Sequence, residues 1–439
     1  MPINPHALEE RDPRFTDQRW LLDLVISLAG PDWDQGRIEY LALPVSPDNK
    51  GAFQSLKSSI RKLDDLPREM TKLARHVELR ARAEERAGHE VSAGADFLAA
   101  SVLYGGAQWP IYSTSKLNLV LEKKKTDCYL AYASHADHRI EAVEVPYEDT
   151  TVAAWFHLPI GYAGGEVPCV VMTSGMDAFK EVGLLGAGDR YLSRGMAVLV
   201  VDVPGQGTSL VREIFYEPEK LGTVGINAFD VMAARSEVDA NRIMVTGLSQ
   251  GSFWATQMAA AEPRYAACAV MFTCFDPHNT SMFAAQSPTF RQKFMYMTGT
   301  STFEELQAAV AKMEVAPLSE KITMPYLVVM GEDDPLTDPA QTFSHLNAVP
   351  GPKELLFYVG EDHGPVTRSS GQLGPPVFRY IPDWMADRAA GHPLESRIIT
   401  IDALGRPHPE PWGEDRHYDY GSPLDADNLF GEGPETGLQ

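Results

Sequence analysis

Ser249 stands between Gly247 and Gly251 in Val245-Thr246-Gly247-Leu248-Ser249-Gln250-Gly251-Ser252, and its spacing suits a serine nucleophile. A short β-branched run, Arg242 to Thr246, precedes it, and a helical pattern from Phe253 through Ala261 follows. A strand that turns sharply into a helix leaves room for no side chain two residues before or after the turn. The strain holds the serine Oγ clear of the sheet. Gly-x-Ser-x-Gly alone is a weak pattern, and the flanking strand and helix give it meaning.

A serine hydroxyl attacks a carbonyl only when a base takes its proton, and a histidine does so best when a carboxylate fixes its tautomer. Both partners follow downstream, each just past an apolar run: Gly331-Glu332-Asp333-Asp334-Pro335 and Glu361-Asp362-His363-Gly364. Of the 12 histidines, only His363 directly follows a core-type strand beyond Ser249. Asp334, three residues after Gly331, is the expected acid, with its neighbour Asp333 the alternative. The tetrahedral intermediate needs two converging N–H groups. Gln250 supplies one, and Met176, in the loop Ser174-Gly175-Met176 after the run Val167 to Thr173, is the candidate for the other. Asp202-Val-Pro-Gly-Gln-Gly-Thr-Ser209 lacks the Lys-Ser/Thr ending of a phosphate loop and reads as a tight turn. No His, Asp, Glu or Cys cluster has metal-ligand spacing, so no metal and no cofactor is expected.

These residues need a scaffold, and the hydrophobic periods describe one. From Thr16 to about Ala136 the pattern is helical: Trp20, Leu21, Leu24, Val25 and Leu28, then about Pro67–Arg86, Val91–Gly106 and Ser113–Ser134. Near Arg139 the period becomes two, giving an opening hairpin from Glu141 to Pro159 around the turn Glu148-Asp149-Thr150. Apolar strands then alternate with helices: Val167–Thr173, Met196–Asp202, the strand before Ser249, Tyr265–Phe272, Pro325–Met330 and Glu354–Val359. That rhythm specifies a doubly wound, mostly parallel α/β sheet. Between Asp276 and Lys321 it is interrupted by an aromatic and Met-rich insertion, expected to lie over the site as a helical lid.

The chain of 439 residues, 44% hydrophobic and 22% charged, can bury a large core. A formal net charge of -22 argues against nucleic acid or an anionic membrane as partner, since both require a basic face. The 4 cysteines are scattered and suggest neither a zinc site nor a disulfide framework. The charged N-terminal residues do not form a signal-peptide core, so a cytoplasmic location is expected. From Arg406 onward, acids, Pro and Gly prevail; this tail is expected to wrap the core or remain free of it.

Together the motifs Asp202–Ser209, Gly247–Gly251, Gly331–Asp334 and Asp362–Gly364, in this order, resemble the α/β-hydrolases. The helical first part and Gly175-Met-Asp-Ala-Phe-Lys-Glu181 resemble, more narrowly, the esterase group that includes the fermentation-respiration switch protein. The resemblance implies an N-terminal helical cap, residues 1–138, over a catalytic domain, 139–392; the lid insertion is expected at about 276–321, and an acidic tail, 393–439, is expected to follow. It also implies a small-molecule carbonyl substrate, with several members of the group cleaving a carbon–carbon bond next to a ketone. An ester is the alternative, and a regulatory binding protein a second. Ser174 departs from the glycine common in the group. Trp109, Tyr112 and Phe283 are candidates to line the substrate pocket. A homodimer is one assembly open to the chain, although the tail lies outside the shared pattern.

Overall fold

The computed structural model describes residues 18–33, 36–45, 47–187, 190–275, 288–413 and 415–418. Its first part is helical: α1 (Arg19–Ala29), α2 (Arg37–Ala42), α3 (Pro47–Ser59), α4 (Asp65–Ala87), α5 (Glu90–Gln108) and α6 (Lys116–His135). Helix α4 follows from its spacing. Leu66, Met70, Ala74, Val77 and Ala81 recur every three or four residues and are buried, and Gly88 ends the helix at φ 78° with its N–H on the last carbonyls. Helix α5 is buried nearly all round, between α4 and α6. Its small residues allow that, since a Cβ at Gly105 would lie 2.2 Å from the Phe179 ring. Helix α6 is capped by Ser115, whose side chain accepts from Asn118 N, two residues beyond Ser113, where the sequence pattern begins.

The remainder is one ten-stranded sheet in the order β1-β2-β4-β3-β5-β6-β7-β8-β9-β10. Strands β1 (Ile140–Tyr147) and β2 (Thr150–His157) form the expected hairpin, and β2 pairs antiparallel with β4 (Ala197–Val201). Parallel pairing then joins β4, β3 (Val167–Thr173), β5 (Val238–Leu248), β6 (Cys268–Met271), β7 (Tyr326–Gly331), β8 (Lys353–Tyr358) and β9 (Arg397–Ile401). The connecting helices are α7 (Lys180–Ala187), α8 (Gly207–Val211), α9 (Leu221–Ala233), α10 (Gln250–Ala261), α11 (Pro288–Thr298), α12 (Phe303–Val310), α13 (Ala316–Ser319), α14 (Pro339–Ala348), α15 (Ser369–Leu373) and α16 (Val377–Ala389). This is the α/β-hydrolase fold with a cap of N-terminal helices. Alternate strand residues serve opposite faces. Val170, Val198, Met244 and Leu327 pack toward Ile381 and Trp384 of α16, while Val171, Leu199, Val245 and Val328 share one continuous core with the cap helices.

The carboxyl-terminal part differs from expectation. Ile398, Ile399 and Ile401 are buried in β9, and β10 (Pro407–Pro411) adds an exposed antiparallel edge, so the sheet runs past residue 392. Three prolines in β10 confine it to that edge, because proline cannot donate to a further strand. Beyond it, Trp412 and Tyr418 pack on Phe343. Of the expected lid, α11 to α13 are described, and residues 276–287 lie outside the described residues.

Candidate active site

Strand β5 delivers Ser249 to the turn into α10 at φ 54°, ψ -126°, a conformation that L-residues adopt only under constraint. The flanking glycines are required by contact. A Cβ on Gly247 would lie 1.9 Å from Gly251 O, and one on Gly251 would lie 2.6 Å from Ser174 O. Ser249 Oγ faces His363 Nε2 at 2.8 Å, and His363 Nδ1 faces Asp334 Oδ2 at 2.9 Å and Oδ1 at 3.1 Å. Asp334 is buried, and its Oδ1 also accepts from Leu336 N at 2.8 Å. Asp333 turns outward to Arg368 at 2.7 Å. Ser249, His363 and Asp334 thus form one hydrogen-bonded chain, and of the two neighbouring aspartates it contains Asp334. Phe272 places its ring 6.1 Å from the His363 ring.

The oxyanion candidates sit beside the serine. Gly175 packs so closely that an added Cβ would be 3.3 Å from Ser249 Cβ. Among the described residues, neither Met176 N nor Gln250 N donates to a protein acceptor, which leaves both N–H groups able to bind a developing oxyanion.

The cap reaches this loop through charge. Arg37 Nε of α2 lies 3.1 Å from Asp177 Oδ2, with the two side chains only 5% and 6% exposed, and the guanidinium stacks 3.8 Å over the Trp109 ring. Deeper, Lys125 of α6 lies 2.9 Å from Glu122 and 3.3 Å from Glu181, and Lys180 lies 2.8 Å from Glu181 and 3.3 Å from Asp202. Burial works to raise the Glu122 carboxyl, but the Lys125 and Lys180 charges overcome it and hold it down at about 2. Burial likewise works to lower Lys125, and the charges of Glu122 and Glu181 hold it above the ordinary lysine range. Of this network, Lys180, Glu181 and Asp202 belong to stretches singled out in the sequence, and Glu122 and Lys125 do not. Lys125 could have been found by its place in α6, on the inward face with Leu121, Cys128 and Tyr129, four apart and then three and four.

A cavity between cap and sheet is lined by Gln108, Trp109, Asp177, Phe179, Lys293 and Tyr296 among others, but not by Ser249 or His363. Trp109 therefore lines a cavity one residue beyond Met176. Tyr112 does not: it is buried within the shared core, where the ring adds apolar area. Phe283 lies outside the described residues. Among those residues, no group of acids, histidines and cysteines could hold a metal ion, and no helix is long and apolar enough to cross a membrane.

Residues 70–302 match the protein family described as Esterase FrsA-like. The α/β hydrolase ucsC of Acremonium sp is 28% identical over 231 residues, covering 48% of this chain and 46% of the relative. The esterase FrsA of Photobacterium profundum is 25% identical over 196 residues, covering 44% and 45%. The chain thus spans about half the length of these curated relatives. The crystal structure of 2,6-dihydroxy-pseudo-oxynicotine hydrolase is similar in fold, with a TM-score of 0.67 at 22% identity over 81% of this chain and 96% of that one.

Proposed function

The chain belongs to the FrsA-like esterase family, and from that premise we propose that it is a serine hydrolase working through Ser249, His363 and Asp334, with a carbonyl compound as substrate. The observation that carries the proposal is the unbroken chain from Ser249 Oγ through His363 to Asp334, set at a strained elbow. A binding protein has no use for that alignment.

In the proposed cycle His363 Nε2 takes the Ser249 proton as Oγ adds to the carbonyl carbon. Met176 N–H and Gln250 N–H hold the resulting oxyanion, while Asp334 stabilises the imidazolium. Collapse breaks the bond to the leaving group, which takes the proton from His363 Nε2. A water, deprotonated by the same nitrogen, then frees the acyl group from Ser249. The cleaved bond is proposed to be carbon–carbon, next to a ketone, in keeping with the resemblance to a group in which that reaction occurs. A carbon leaving group departs as an enolate and must be protonated as it goes, a task this reading gives to the imidazolium. An ester makes no such demand, and the family's esterase description favours it as the second reading.

One preparation assayed with an aryl β-diketone and an aryl ester tests the proposal. Turnover of the diketone at least equal to that of the ester supports carbon–carbon cleavage, and ester turnover alone moves the reading to an esterase. Activity surviving in Ser249→Ala with either substrate removes the proposal.

A further inference from the structure

The turn Asp202–Ser209 has no part in the triad, yet it holds a fully buried glutamine against the loop that carries Met176. Gln206 Nε2 donates to Gly175 O at 2.8 Å and to Ser174 O at 3.2 Å. The identity of the donating atom is forced, because both partners are carbonyl oxygens and a flipped amide would set oxygen against oxygen. Gly175 O also accepts from Ala178 N at 3.0 Å, closing a turn, so both of its lone pairs are occupied.

Gly175 O and the Met176 N–H belong to one peptide group. That group is trans, so the two point in opposite directions, and whatever holds the carbonyl also aims the N–H. We propose that Gln206 is the positioning residue for the oxyanion-binding amide: it pins the Gly175 carbonyl so that the Met176 N–H stays turned toward Ser249. The inference rests on the serine-hydrolase reading and assigns a role to a motif that reading leaves unused.

The turn is built to keep Gln206 in place. Gly205 is at φ 83° with its N–H on Ile214 O at 2.7 Å, and a Cβ there would lie 2.7 Å from Tyr216 Cβ. Asp202, fully buried, accepts from Thr208 N at 2.8 Å and from Lys180 N at 2.6 Å. The same aspartate thus anchors the glutamine's turn and the far end of the Met176 loop. Without the carboxamide, the Gly175–Met176 peptide loses one of two restraints on its rotation. A rotated peptide presents a carbonyl oxygen where the oxyanion forms, which repels the transition state and barely touches the bound ground state.

The test uses the full chain with Gln206→Met, close in shape and unable to donate, and Gln206→Leu as a second variant should the first fail to fold. Steady-state kinetics with p-nitrophenyl butyrate and inhibition by an aryl trifluoromethyl ketone, whose adduct with Ser249 carries the oxyanion, are measured beside melting temperature. The expected result is a fall in kcat of tenfold or more, KM within threefold of wild type, and a trifluoromethyl ketone Ki raised by about the factor that kcat/KM loses. A folded variant with kcat within twofold of wild type overturns the inference, as does a rise in KM at unchanged kcat. If the wild type itself neither hydrolyses the ester nor binds the ketone at Ser249, the hydrolase reading fails and takes this inference with it. That outcome is seen before any Gln206 variant is made.

Discussion

Replacing Asp334 by asparagine changes one atom, and the hydrogen bonds around it determine how the new side chain must sit. Leu336 N donates to Oδ1 at 2.8 Å. Only the carbonyl oxygen of asparagine can accept that bond, so the amide nitrogen is forced into the Oδ2 position, 2.9 Å from His363 Nδ1. There it donates, and Nδ1 must accept. The ring proton moves to Nε2, which faces Ser249 Oγ at 2.8 Å and can no longer take the serine proton. The fold stays intact while the base is lost. The stabilisation of the imidazolium by a carboxylate is lost with it, and the expected fall in kcat is roughly 10³- to 10⁴-fold, about 4 to 5.5 kcal/mol of barrier at about 1.4 kcal/mol per tenfold. Asp333→Asn touches only a half-exposed pair with Arg368, and its kcat should stay within about twofold, as is usual for such surface pairs. Both variants are to be purified, melted to verify folding and assayed with one ester. Asp334 is not the orienting acid if Asp334→Asn keeps more than a tenth of wild-type kcat, or if the two variants fall alike.

Two other outcomes follow from the buried charges. Lys125→Met should leave Glu122 and Glu181 sharing Lys180 and destabilise the chain by ~3–5 kcal/mol in urea unfolding, whereas Lys123→Met, which breaks an exposed pair with Asp127, should change it by less than ~1 kcal/mol; equal effects would mean that the buried network does not join cap to sheet. Burial, with the nearby Lys353 charge, pushes His345 down to about 3, below its unfolded value of about 6.5. Its contribution to stability is therefore complete above about pH 6.5 and lost progressively as pH falls toward 3. Urea unfolding at pH 7.5 and 5 should show a smaller acid loss in His345→Gln than in wild type, and identical losses would contradict the assignment.

The elbow was legible because its glycines answer to steric demands that any such turn must meet, and because Asp334 and His363 stand directly after strands whose apolar runs are unambiguous. Local pattern also separated the helical first part from the sheet, since the period changes near Arg139. Long-range pairing left weaker traces. Arg37 looks like any exposed arginine until Asp177, 140 residues away, meets it. Lys125 lies in the run Lys123-Lys124-Lys125, and only its position on the inward face of α6 sets it apart. Strand β9 is short and follows a polar stretch, and three of the five residues of β10 are prolines, so neither carries the alternation by which a strand is recognised. Tyr112 illustrates the opposite limit: an aromatic residue beside Trp109 is as well suited to a core as to a cavity, and packing placed it in the core. Gln206 needed the fold as well, because nothing in its own turn indicates that its amide faces Gly175.

In the proposed function Ser249 is a nucleophile activated by His363. Mass spectrometry of the intact chain after reaction with a fluorophosphonate, followed by peptide mapping, tests it most directly. One adduct is expected, on the peptide carrying Ser249, absent from Ser249→Ala and slowed at least a hundredfold in His363→Ala. A folded wild-type chain that remains unmodified, or one modified at a residue other than Ser249, would contradict it.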